Sequence, residues 1–502
     1  MTSLSAFAAK YDALIAEPIV PDTTTENGGA AFSSTGSACL DFFARYVRGT
    51  SQKDIVNMFV KACGESPYIA LKILFNGRDC IGDGKQEKLI SFFLMDYLKR
   101  WKPKTYVKNL IGFTKIGCFK DLLQLDLMTK LAPIDPSQND LLLDIELQLM
   151  AAILQDDLVK LLAGESVSLV GKWAPTEGCE YDKKTRAAHR LAKILGCKDM
   201  KEYRKKYITP LRAKIDVLER LESARRWDEI NFEKVPATAM KKQKAAFQKH
   251  CPEGFMNYLA NVVGGRAKMN SKGIQPHELI MNPDEAANAQ WIALVARLLL
   301  AGVFKNCVAL CDVSGSMSGI PMWVSIAMGI LMSALTEGRF KNRVLTFSEV
   351  PQWHTIVGET LAEKVSSLSQ AHWGGSTNFI GAFEMILDEA MKYGLTQEQV
   401  PKKIIVFTDM QFNIAHRVEY KTAYEIISDK YSAAGYKIPQ LVFWNLRDSK
   451  VAFPVQKDTP GVALMSGYSA EMLKMFMDDE DMTPYSMMMK ALKPYEVFVV
   501  DE

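Results

Sequence analysis

From about residue 303 onward, short apolar segments alternate along the chain with segments of helical periodicity. This alternation predicts a doubly wound α/β domain, in which helices cover both faces of a mostly parallel sheet. In such sheets, ligands bind beyond the carboxyl ends of the strands, where the strand order reverses. The apolar runs that predict strands are 307–311, 343–347, 403–408, 440–444, 451–455 and 461–465.

The preceding part of the chain, from about residue 36 to residue 302, shows helical periodicity almost throughout. Short turns join many of its helical segments. Paired helices over so long a stretch predict an all-helical domain, an α-solenoid of the HEAT-like type. The first 35 residues contain two prolines, a threonine run and Asn27-Gly28-Gly29, and they predict a short helix followed by a mobile segment. The predicted domains are therefore 1–35, 36–302 and 303–502.

Nine cysteines are scattered along the 502 residues, and no two of them form a Cys-x-x-Cys pair. An odd, dispersed set predicts reduced thiols in an intracellular protein rather than a zinc site. The N-terminus lacks the basic start and apolar core of a signal peptide, and no apolar run reaches the length of about 18 residues that a membrane span needs. We therefore expect a cytoplasmic protein that makes no contact with a membrane.

The charge is distributed unevenly, although the net charge of the whole chain is only +3. Residues 301–502 carry 18 basic and 23 acidic residues, a net charge of −5, whereas residues 1–300 carry 43 and 35, a net charge of +8. Residues 171–270 alone carry 23 basic and 12 acidic residues, a net charge of +11. Any contact with nucleic acid is therefore expected in the first 300 residues rather than in the acidic half.

A second informative feature is the segment Asp312-Val313-Ser314-Gly315-Ser316, which directly follows the first predicted strand. An aspartate and two serines in such a turn place three small oxygen ligands at one rim of the sheet. Oxygen ligands suit a hard cation such as Mg²⁺ or Mn²⁺. The alternative is that Asp312 and Ser316 only cap the helix that follows, but it explains neither of the later residues that complete the pattern. Those are Thr377, after two glycines, and Asp409, at the end of another predicted strand.

Together, Asp312, Ser314, Ser316, Thr377 and Asp409 resemble the metal-ion-dependent adhesion site (MIDAS) of von Willebrand factor A domains. That family has the pattern Asp-x-Ser-x-Ser, then a distant threonine, then a distant aspartate. The resemblance implies a Rossmann-like von Willebrand A-type domain that binds Mg²⁺ or Mn²⁺ through these five residues. It also implies an open coordination position that an acidic group of a protein partner fills. This is binding chemistry, so no catalytic residue is predicted.

Hydrolysis through a metal-bound water is an alternative use of the same site, and it requires a base held close to the metal. The histidines of this half of the chain are His354, His372 and His416, and His372 stands five residues before Thr377. Their spacing shows no pairing of a nucleophile with a base. We therefore expect a binding site rather than an enzyme.

Basic residues recur on the predicted helices of the most basic stretch, and aromatic residues such as Trp173, Tyr203 and Trp227 stand close to them in sequence. A positive surface with stacking groups suits single-stranded or structured RNA. The alternative is a set of solvated helix faces whose aromatic residues belong to the core, and interleaved acidic residues such as Asp216 and Glu219 favour it. The candidate nucleic-acid-binding residues are Lys183, Lys184, Arg186, Arg204, Lys205, Lys206, Lys241, Lys242 and Lys244.

Six segments in both halves of the chain are together similar to a family known as domain of unknown function 2828, and the resemblance extends over nearly the whole chain from about residue 36. The order of a helical domain and an A-type domain is similar to that of the Ro/TROVE ribonucleoproteins, in which a helical ring binds RNA. The turn Gly82–Glu87 looks like the Gly-Lys-Gly-Glu-Arg-type turn of such helical domains, although Asp83 and Gln86 differ from the usual residues. The six segments are 82–87, 172–177, 312–317, 407–410, 442–447 and 461–467.

Three functions are compatible with these patterns. The first is a non-enzymatic scaffold, similar to a Ro ribonucleoprotein, that binds RNA on its helical domain and a protein at a Mg²⁺-dependent site. The second is a protein-interaction or structural assembly component that binds no RNA, with the basic stretch as solvated surface. The third is a metal-dependent hydrolase. The sequence alone favours the first.

Overall fold

The computed structural model describes residues 21–25, 30–132, 142, 144–302, 307–312, 314–346, 351–371, 379–410, 420–448, 452–476 and 482–501. Up to residue 302, the described chain is helical apart from a short antiparallel strand pair near its start. A sheet with mostly parallel strands follows, and helices connect most of its strands. The structure therefore confirms a helical region followed by a mixed α/β region.

Serine residues cap the N-termini of the first three helices that the structure describes. Ser37, Ser51 and Ser66 each accept a hydrogen bond from the backbone N–H three residues later, which satisfies a donor that the helix itself leaves unpaired. The helices of this region are α1 (Ala38–Ala44), α2 (Gln52–Glu65), α3 (Pro67–Arg78), α4 (Lys88–Trp101), α5 (Pro103–Ile116), α6 (Lys120–Leu131), α7 (Ile145–Leu162), α8 (Val170–Trp173), α9 (Glu180–Thr185), α10 (Ala187–Ile194), α11 (Met200–Tyr203), α12 (Thr209–Ile215), α13 (Leu218–Ser223), α14 (Ala237–His250), α15 (Pro252–Val263), α16 (Pro276–Ile280) and α17 (Glu285–Ala301).

Pro210 shapes the backbone between α11 and α12. A proline has no N–H to donate, so regular α-helical bonding cannot continue through it. The chain forms a π-helical segment, Arg204–Ile208, just before Pro210. Asp216 then adopts a left-handed conformation with φ 55° and ends α12. The helical period over residues 200–224 is therefore broken into four short elements.

The main sheet has the strand order β5-β4-β3-β6-β7-β8, and every neighbouring pair is parallel except β4 with β5. From the boundary between β3 and β6, the chain adds β4 and β5 on one side and β7 and β8 on the other. The carboxyl ends of these two central strands therefore form the switch point where a ligand site is expected. The strands are β1 (Thr23–Thr24), β2 (Ala30–Ala31), β3 (Cys307–Cys311), β4 (Arg343–Thr346), β5 (Trp353–Thr355), β6 (Lys403–Thr408), β7 (Gln440–Asn445) and β8 (Val462–Ser466).

In the α/β region, one predicted strand is wrong and one strand was missed. Residues 452–455 form no strand: Phe453 makes only an isolated antiparallel bridge to Phe32. Pro454 explains the difference, because it cannot donate a hydrogen bond to a neighbouring strand. The missed strand is β5, which has three residues and lies at the sheet edge. A strand this short carries too little alternation to be recognised from sequence.

Helix α18 packs directly against β3 and so supports the turn that joins them. Gly329 allows this close approach, because a Cβ at that position would overlap the Sγ atom of Cys311. Val324, Met328 and Leu331 of the same helix are buried. The helices of the α/β region are α18 (Ile320–Leu335), α19 (Leu361–Ser369), α20 (Phe379–Tyr393), α21 (Tyr420–Ala433) and α22 (Pro484–Leu492).

A continuous hydrophobic core joins the helical region to the sheet. Helix α16 packs against α18, α1 against β8, and α22 against α3. A second, smaller cluster surrounds Phe232, Phe247 and Phe255 in the helical region. The two regions therefore share buried surface, and a residue in one region can directly support an element of the other.

The longest helix of the described chain is α7, with 18 residues, and it carries Glu146, Asp156, Asp157 and Lys160. Throughout the described ranges, no helix has both the length and the apolar character that crossing a bilayer demands.

Candidate metal centre

Asp312 directly follows β3, and only 2% of its surface is exposed to solvent. Its Oδ1 atom accepts the backbone N–H of Ser314 at 2.9 Å, and its Oδ2 atom accepts the hydroxyl of Thr408 at 2.9 Å. Because Thr408 ends β6, the second bond joins the ends of the two central strands. The carboxylate of Asp312 is thus held in one orientation at the predicted switch point.

The turn after Asp312 brings the two predicted serine ligands together. The hydroxyl oxygens of Ser314 and Ser316 lie 2.9 Å apart. Residues Gly315–Met317 form one 3₁₀ turn, and a hydrogen bond of 3.0 Å from the Met317 N–H to the Ser314 carbonyl closes it. Met317 is buried and anchors the turn in the core. Both hydroxyls are therefore held on the same side of a supported turn.

Asp409 follows Thr408 at the end of β6 and is completely buried. The Nη1 atom of Arg447, two residues beyond β7, lies 3.8 Å from the Oδ2 atom of Asp409. The same guanidinium donates a hydrogen bond to the carbonyl of Ser316. The ends of β3, β6 and β7 therefore meet around these side chains, as the strand pattern predicts for a site at the carboxyl edge.

The electrostatic environment of Asp312 favours a nearby positive charge. Burial, together with the neighbouring charge of Asp409, raises the pKa of Asp312 to about 6, although hydrogen bonds from Ser314 and Thr408 favour its charged form. Neighbouring carboxylates that are withdrawn from water repel each other. A cation between them offsets both this repulsion and the loss of hydration.

The oxygen atoms of this site fit Mg²⁺ or Mn²⁺. In an octahedron with Mg–O distances of about 2.1 Å, neighbouring ligands are about 2.9 Å apart, and this is the separation of the Ser314 and Ser316 hydroxyls. Within the described ranges, no group of three or more His, Cys, Asp or Glu side chains is arranged to hold a metal ion. The candidate set is of another type, two carboxylates and two hydroxyls, which suits a hard cation that keeps several water ligands.

Several predicted residues of this region lie outside the part of the chain that the structure describes. These include Thr377, the fifth predicted ligand, and the histidines His372 and His416. His354 is described: it lies on β5, two strands away from β3, with its Nε2 atom 3.4 Å from the hydroxyl of Ser367. His354 is therefore not a neighbour of Asp312 in the sheet.

The candidate nucleic-acid-binding residues lie on α9, on the π-helical segment and on α14, except Arg186, which stands between α9 and α10. Three of them form ion pairs with acidic residues: Lys184 with Glu180 at 2.8 Å, Lys241 with Glu278 at 3.2 Å, and Lys244 with Asp284. Each pair reduces the positive potential available to a phosphate. The exposed residues among the candidates are Lys183, Lys184, Arg186, Arg204, Lys205, Lys206 and Lys242.

The aromatic residues of the basic stretch divide between core and surface. Tyr203, Tyr207 and Phe247 are buried, so they cannot stack on a base. Trp173 and Tyr181 are partly exposed, and the Nζ atom of Lys120 lies 5.6 Å and 6.0 Å from the centres of their rings. The predicted interleaving of basic and aromatic groups is therefore reduced to the rings that remain partly exposed, which are Trp173, Tyr181 and Trp227.

A cleft of about 1090 Å³ lies beside the π-helical segment. Trp173, Arg204 and Arg220 line it, together with the acidic residues Glu177 and Glu219. Its lining is thus of mixed charge rather than uniformly basic. The cleft places Trp173 and Arg204 at one surface, although 31 residues separate them in sequence.

The turn Gly82–Glu87, which resembles a turn of the Ro-type helical domains, packs against the sheet region. Lys85 is completely buried, and its Nζ atom donates a hydrogen bond to the hydroxyl of Ser466, at the end of β8, at 2.5 Å. Asp83 forms an ion pair with Lys474 at 2.7 Å. These contacts join the helical and sheet regions, and they make the lysine of the turn inaccessible to a nucleic acid.

Sequence reasoning missed two residues of the metal centre. Thr408 orients Asp312, and Arg447 contacts both Asp409 and the serine turn. Their positions could have indicated both residues, because Thr408 ends a strand and Arg447 stands just after another strand of the same sheet. Both also stand in segments that carried the family resemblance, 407–410 and 442–447.

Comparisons with known proteins agree with the division of the chain into two regions. One family model, described as a domain of unknown function (DUF2828), matches residues 25–146 and 134–304. Another, also described as a domain of unknown function (DUF7788), matches residues 306–494. The chain is 38% identical over 501 residues to an uncharacterized protein of Acanthamoeba polyphaga mimivirus, covering 94% of this chain and 87% of the viral protein. The chain belongs to the family that the DUF2828 domain defines.

Proposed function

We propose that this protein is a non-enzymatic scaffold that binds Mg²⁺ (or Mn²⁺) and uses the bound cation to recognise an acidic group of a protein partner. The ligands would be Asp312, Ser314, Ser316 and Asp409, with Thr377 as the fifth. In this proposal the sheet region is a von Willebrand A-type domain with a MIDAS. The strand order and the position of the site at the switch point support that assignment.

One observation carries the proposal: the sheet brings Asp312, Ser314, Ser316 and Asp409 to one edge, although 97 residues separate the two aspartates. A helix cap would require only Asp312 and the serines. It would not require a second, completely buried carboxylate at the end of the neighbouring strand. A cation site accounts for all four residues.

The protein's own residues define what such a site can do. The two aspartates supply negative charge, and the serine hydroxyls supply neutral oxygen ligands on a supported turn. A divalent cation bound there would supply a strong positive charge with a coordination position open to a carboxylate. No described residue is placed as a base for hydrolysis, so the hydrolase remains the less favoured alternative.

RNA binding by the helical region is a second proposal. In this proposal the helical region is a HEAT-like domain, and the protein is a ribonucleoprotein similar to Ro. It is supported by the exposed residues Arg204, Lys205 and Lys206 beside a cleft that contains Trp173. Charged groups that track phosphates together with an aromatic face for stacking are the usual elements of single-strand recognition.

The ion pairs of the basic stretch favour the competing proposal, an assembly component that binds no RNA. Lys241 and Lys244 are already neutralised by Glu278 and Asp284. Lys85, in the turn that is similar to one in the Ro-type helical domains, is completely buried and cannot contact RNA. The two proposals share the metal-dependent protein site and differ only in the role of the helical surface.

Titration calorimetry with Mg²⁺ and Mn²⁺ tests the metal centre directly. We expect saturable binding to the wild-type chain and none to Asp312→Asn or Asp409→Asn, with all three proteins folded by circular dichroism. Capture of partners with and without EDTA then tests the role of the metal. Recovery of every partner in the presence of EDTA would contradict metal-dependent recognition, and no metal binding by the folded wild-type chain would contradict the site itself.

A further inference from the structure

Arg447 is the one described basic side chain in ion-pair contact with the candidate metal ligands. It follows β7, and its backbone N–H donates a hydrogen bond to the side-chain carbonyl of Asn445 at 3.1 Å. Asn445 in turn donates to the carbonyl of Ala44 at the end of α1. The backbone at Arg447 is therefore held in place by the contact between the sheet and the helical region.

The guanidinium of Arg447 contacts two of the residues that we propose as ligands, Asp409 through its carboxylate and Ser316 through its backbone carbonyl. Its Nη1 atom lies 3.8 Å from Oδ2 of Asp409 and also donates to the carbonyl of Ser316. Asp409 is completely buried, whereas the Arg447 side chain is 48% exposed. The arginine therefore reaches from the surface toward a buried carboxylate, and it can move back into water without disturbing the core.

Two cations compete for the same carboxylate at this site. A charge of +1 within 4 Å of Asp409 reduces the attraction of this carboxylate for a second cation. Partial exposure of the arginine weakens this effect, because water and salt screen the interaction. The competition would involve the same carboxylate, since Asp409 is both a proposed metal ligand and the ion-pair partner of Arg447.

We infer that Arg447 is the intrinsic cation of this site: it neutralises Asp409 in the metal-free protein, and Mg²⁺ must displace it to bind. This inference rests on the proposed metal site. It assigns Arg447 a role in setting metal affinity, not in holding the metal. It also explains how two neighbouring buried aspartates remain compatible with folding when the divalent cation is absent.

The opposite role is a structural brace, in which Arg447 supports the serine turn through the Ser316 carbonyl. The two roles predict changes of opposite sign. If Arg447 is a competitor, its removal strengthens metal binding, because the arginine no longer has to leave Asp409. If it is a brace, its removal weakens metal binding, because the hydroxyls of the turn are no longer held together.

The test is calorimetric titration of the full-length chain with Mg²⁺ and Mn²⁺ for wild type, Arg447→Gln, Arg447→Lys and Arg339→Gln. Arg339 is the matched control: it is an arginine paired with Glu389, it stands just before β4 at the opposite edge of the sheet, and its substitution changes the net charge by the same amount. We expect Arg447→Gln to bind Mg²⁺ at least about fivefold more tightly than wild type, with Arg447→Lys intermediate and Arg339→Gln unchanged.

Unchanged or weaker binding by folded Arg447→Gln overturns the inference while leaving the metal site intact. Absence of binding by all four proteins overturns the proposed site itself, so the two failures are distinguishable. Folding is checked by the thermal unfolding midpoint. If Arg447→Gln does not fold, Arg447→Lys decides, because its shorter ammonium group cannot bridge both contacts: tighter binding supports the inference, and equal or weaker binding contradicts it.

Discussion

The buried ammonium group of Lys85 donates a hydrogen bond to the hydroxyl of Ser466, and this contact joins a turn of the helical region to the last strand of the sheet. Ser466 lies at the end of β8, and Lys85 also donates to the carbonyl of Phe43 at the end of α1. Burial lowers the pKa of Lys85 well below its usual value. A polar contact that is completely buried is sensitive to the loss of either partner.

Substitution of Ser466 is expected to destabilise the protein mainly by removing one of the two acceptors of the buried Lys85 amine, whose other acceptor is the carbonyl of Phe43. Ser466→Ala should cost about 1–3 kcal/mol in unfolding free energy. The same substitution should cost clearly less in a Lys85→Met background, because the buried amine is no longer present. Chemical denaturation of the four proteins of this double-mutant cycle measures the coupling. Equal costs in both backgrounds would show that the two residues do not depend on each other.

A second prediction concerns the ion pair of Lys99 with Glu146, whose charged atoms lie 2.7 Å apart and which is almost completely buried. Lys99→Met should destabilise the protein by about 3–5 kcal/mol, because Glu146 remains as a buried charge without its cation. Lys99→Met combined with Glu146→Leu should recover much of that loss. Thermal unfolding checks both, with the exposed pair Lys184 and Glu180 as control: Lys184→Met should leave the midpoint unchanged. Failure of the double substitution to exceed the single one in stability would contradict this account.

The buried residue His277 should make stability depend on pH. Burial, together with the positive charges of Arg48 and Lys241, lowers the pKa of His277 from 6.5 to about 3. Between these values the unfolded state binds a proton that the folded state does not, so stability falls as the pH decreases. At pH 5 the loss attributable to His277 is about 2 kcal/mol.

His277→Gln removes this proton uptake. The difference in unfolding free energy between pH 7.5 and pH 5 should therefore be smaller in the variant than in wild type by about the same 2 kcal/mol. Denaturation at both pH values measures this difference for each protein. The same pH dependence in variant and wild type would show that the ring of His277 does not titrate on unfolding.

The serine hydroxyls of the metal centre can be tested separately from its charges. Ser314→Ala and Ser316→Ala should each weaken Mg²⁺ binding by about tenfold or more, because each removes one oxygen ligand without changing the net charge. Ser318→Ala is the matched control, since Ser318 stands in the same turn and its hydroxyl donates to the carbonyl of Gly315 instead. Calorimetric titration compares the three variants. A similar effect of all three would indicate a general disturbance of the turn.

RNA binding by the helical surface makes a prediction about salt. The affinity for a single-stranded oligonucleotide should fall linearly with the logarithm of salt concentration, because phosphate contacts release counterions. Lys205→Gln combined with Lys206→Gln should reduce the slope of that line by about one to two. Lys241→Gln combined with Lys244→Gln should have less effect, because both lysines are paired with acidic residues. Filter binding measures the affinity of wild type and of both double variants. Absence of binding by wild type at low salt would contradict RNA binding and leave the proposal of an assembly component.

Much of the metal centre could be anticipated because it depends on where strands end. Apolar runs indicate β3 and β6, and a residue that follows such a run stands at the carboxyl edge of a parallel sheet. Asp312 and Asp409 could therefore be expected at one edge, as the structure places them. The predicted strand at 451–455 failed for a local reason, since Pro454 opposes sheet pairing regardless of its apolar neighbours.

The basic surface could not be judged in the same way. Whether a lysine is available to a phosphate depends on its acidic neighbours, and Glu278 and Asp284 stand about 40 residues from the lysines that they neutralise. Lys85 shows the same limit, because its burial depends on contacts with Phe43 and Ser466, which are distant in sequence.

The amino-acid sequence by itself determined the helical region, the central strands and the two aspartates at their ends, because these follow from local periodicity along the chain. Only the tertiary structure decided which charges meet, since ion pairs such as Arg447 with Asp409 join residues from different strands. For this reason the position of the candidate metal centre was readable from the sequence, whereas the arginine beside Asp409 was not.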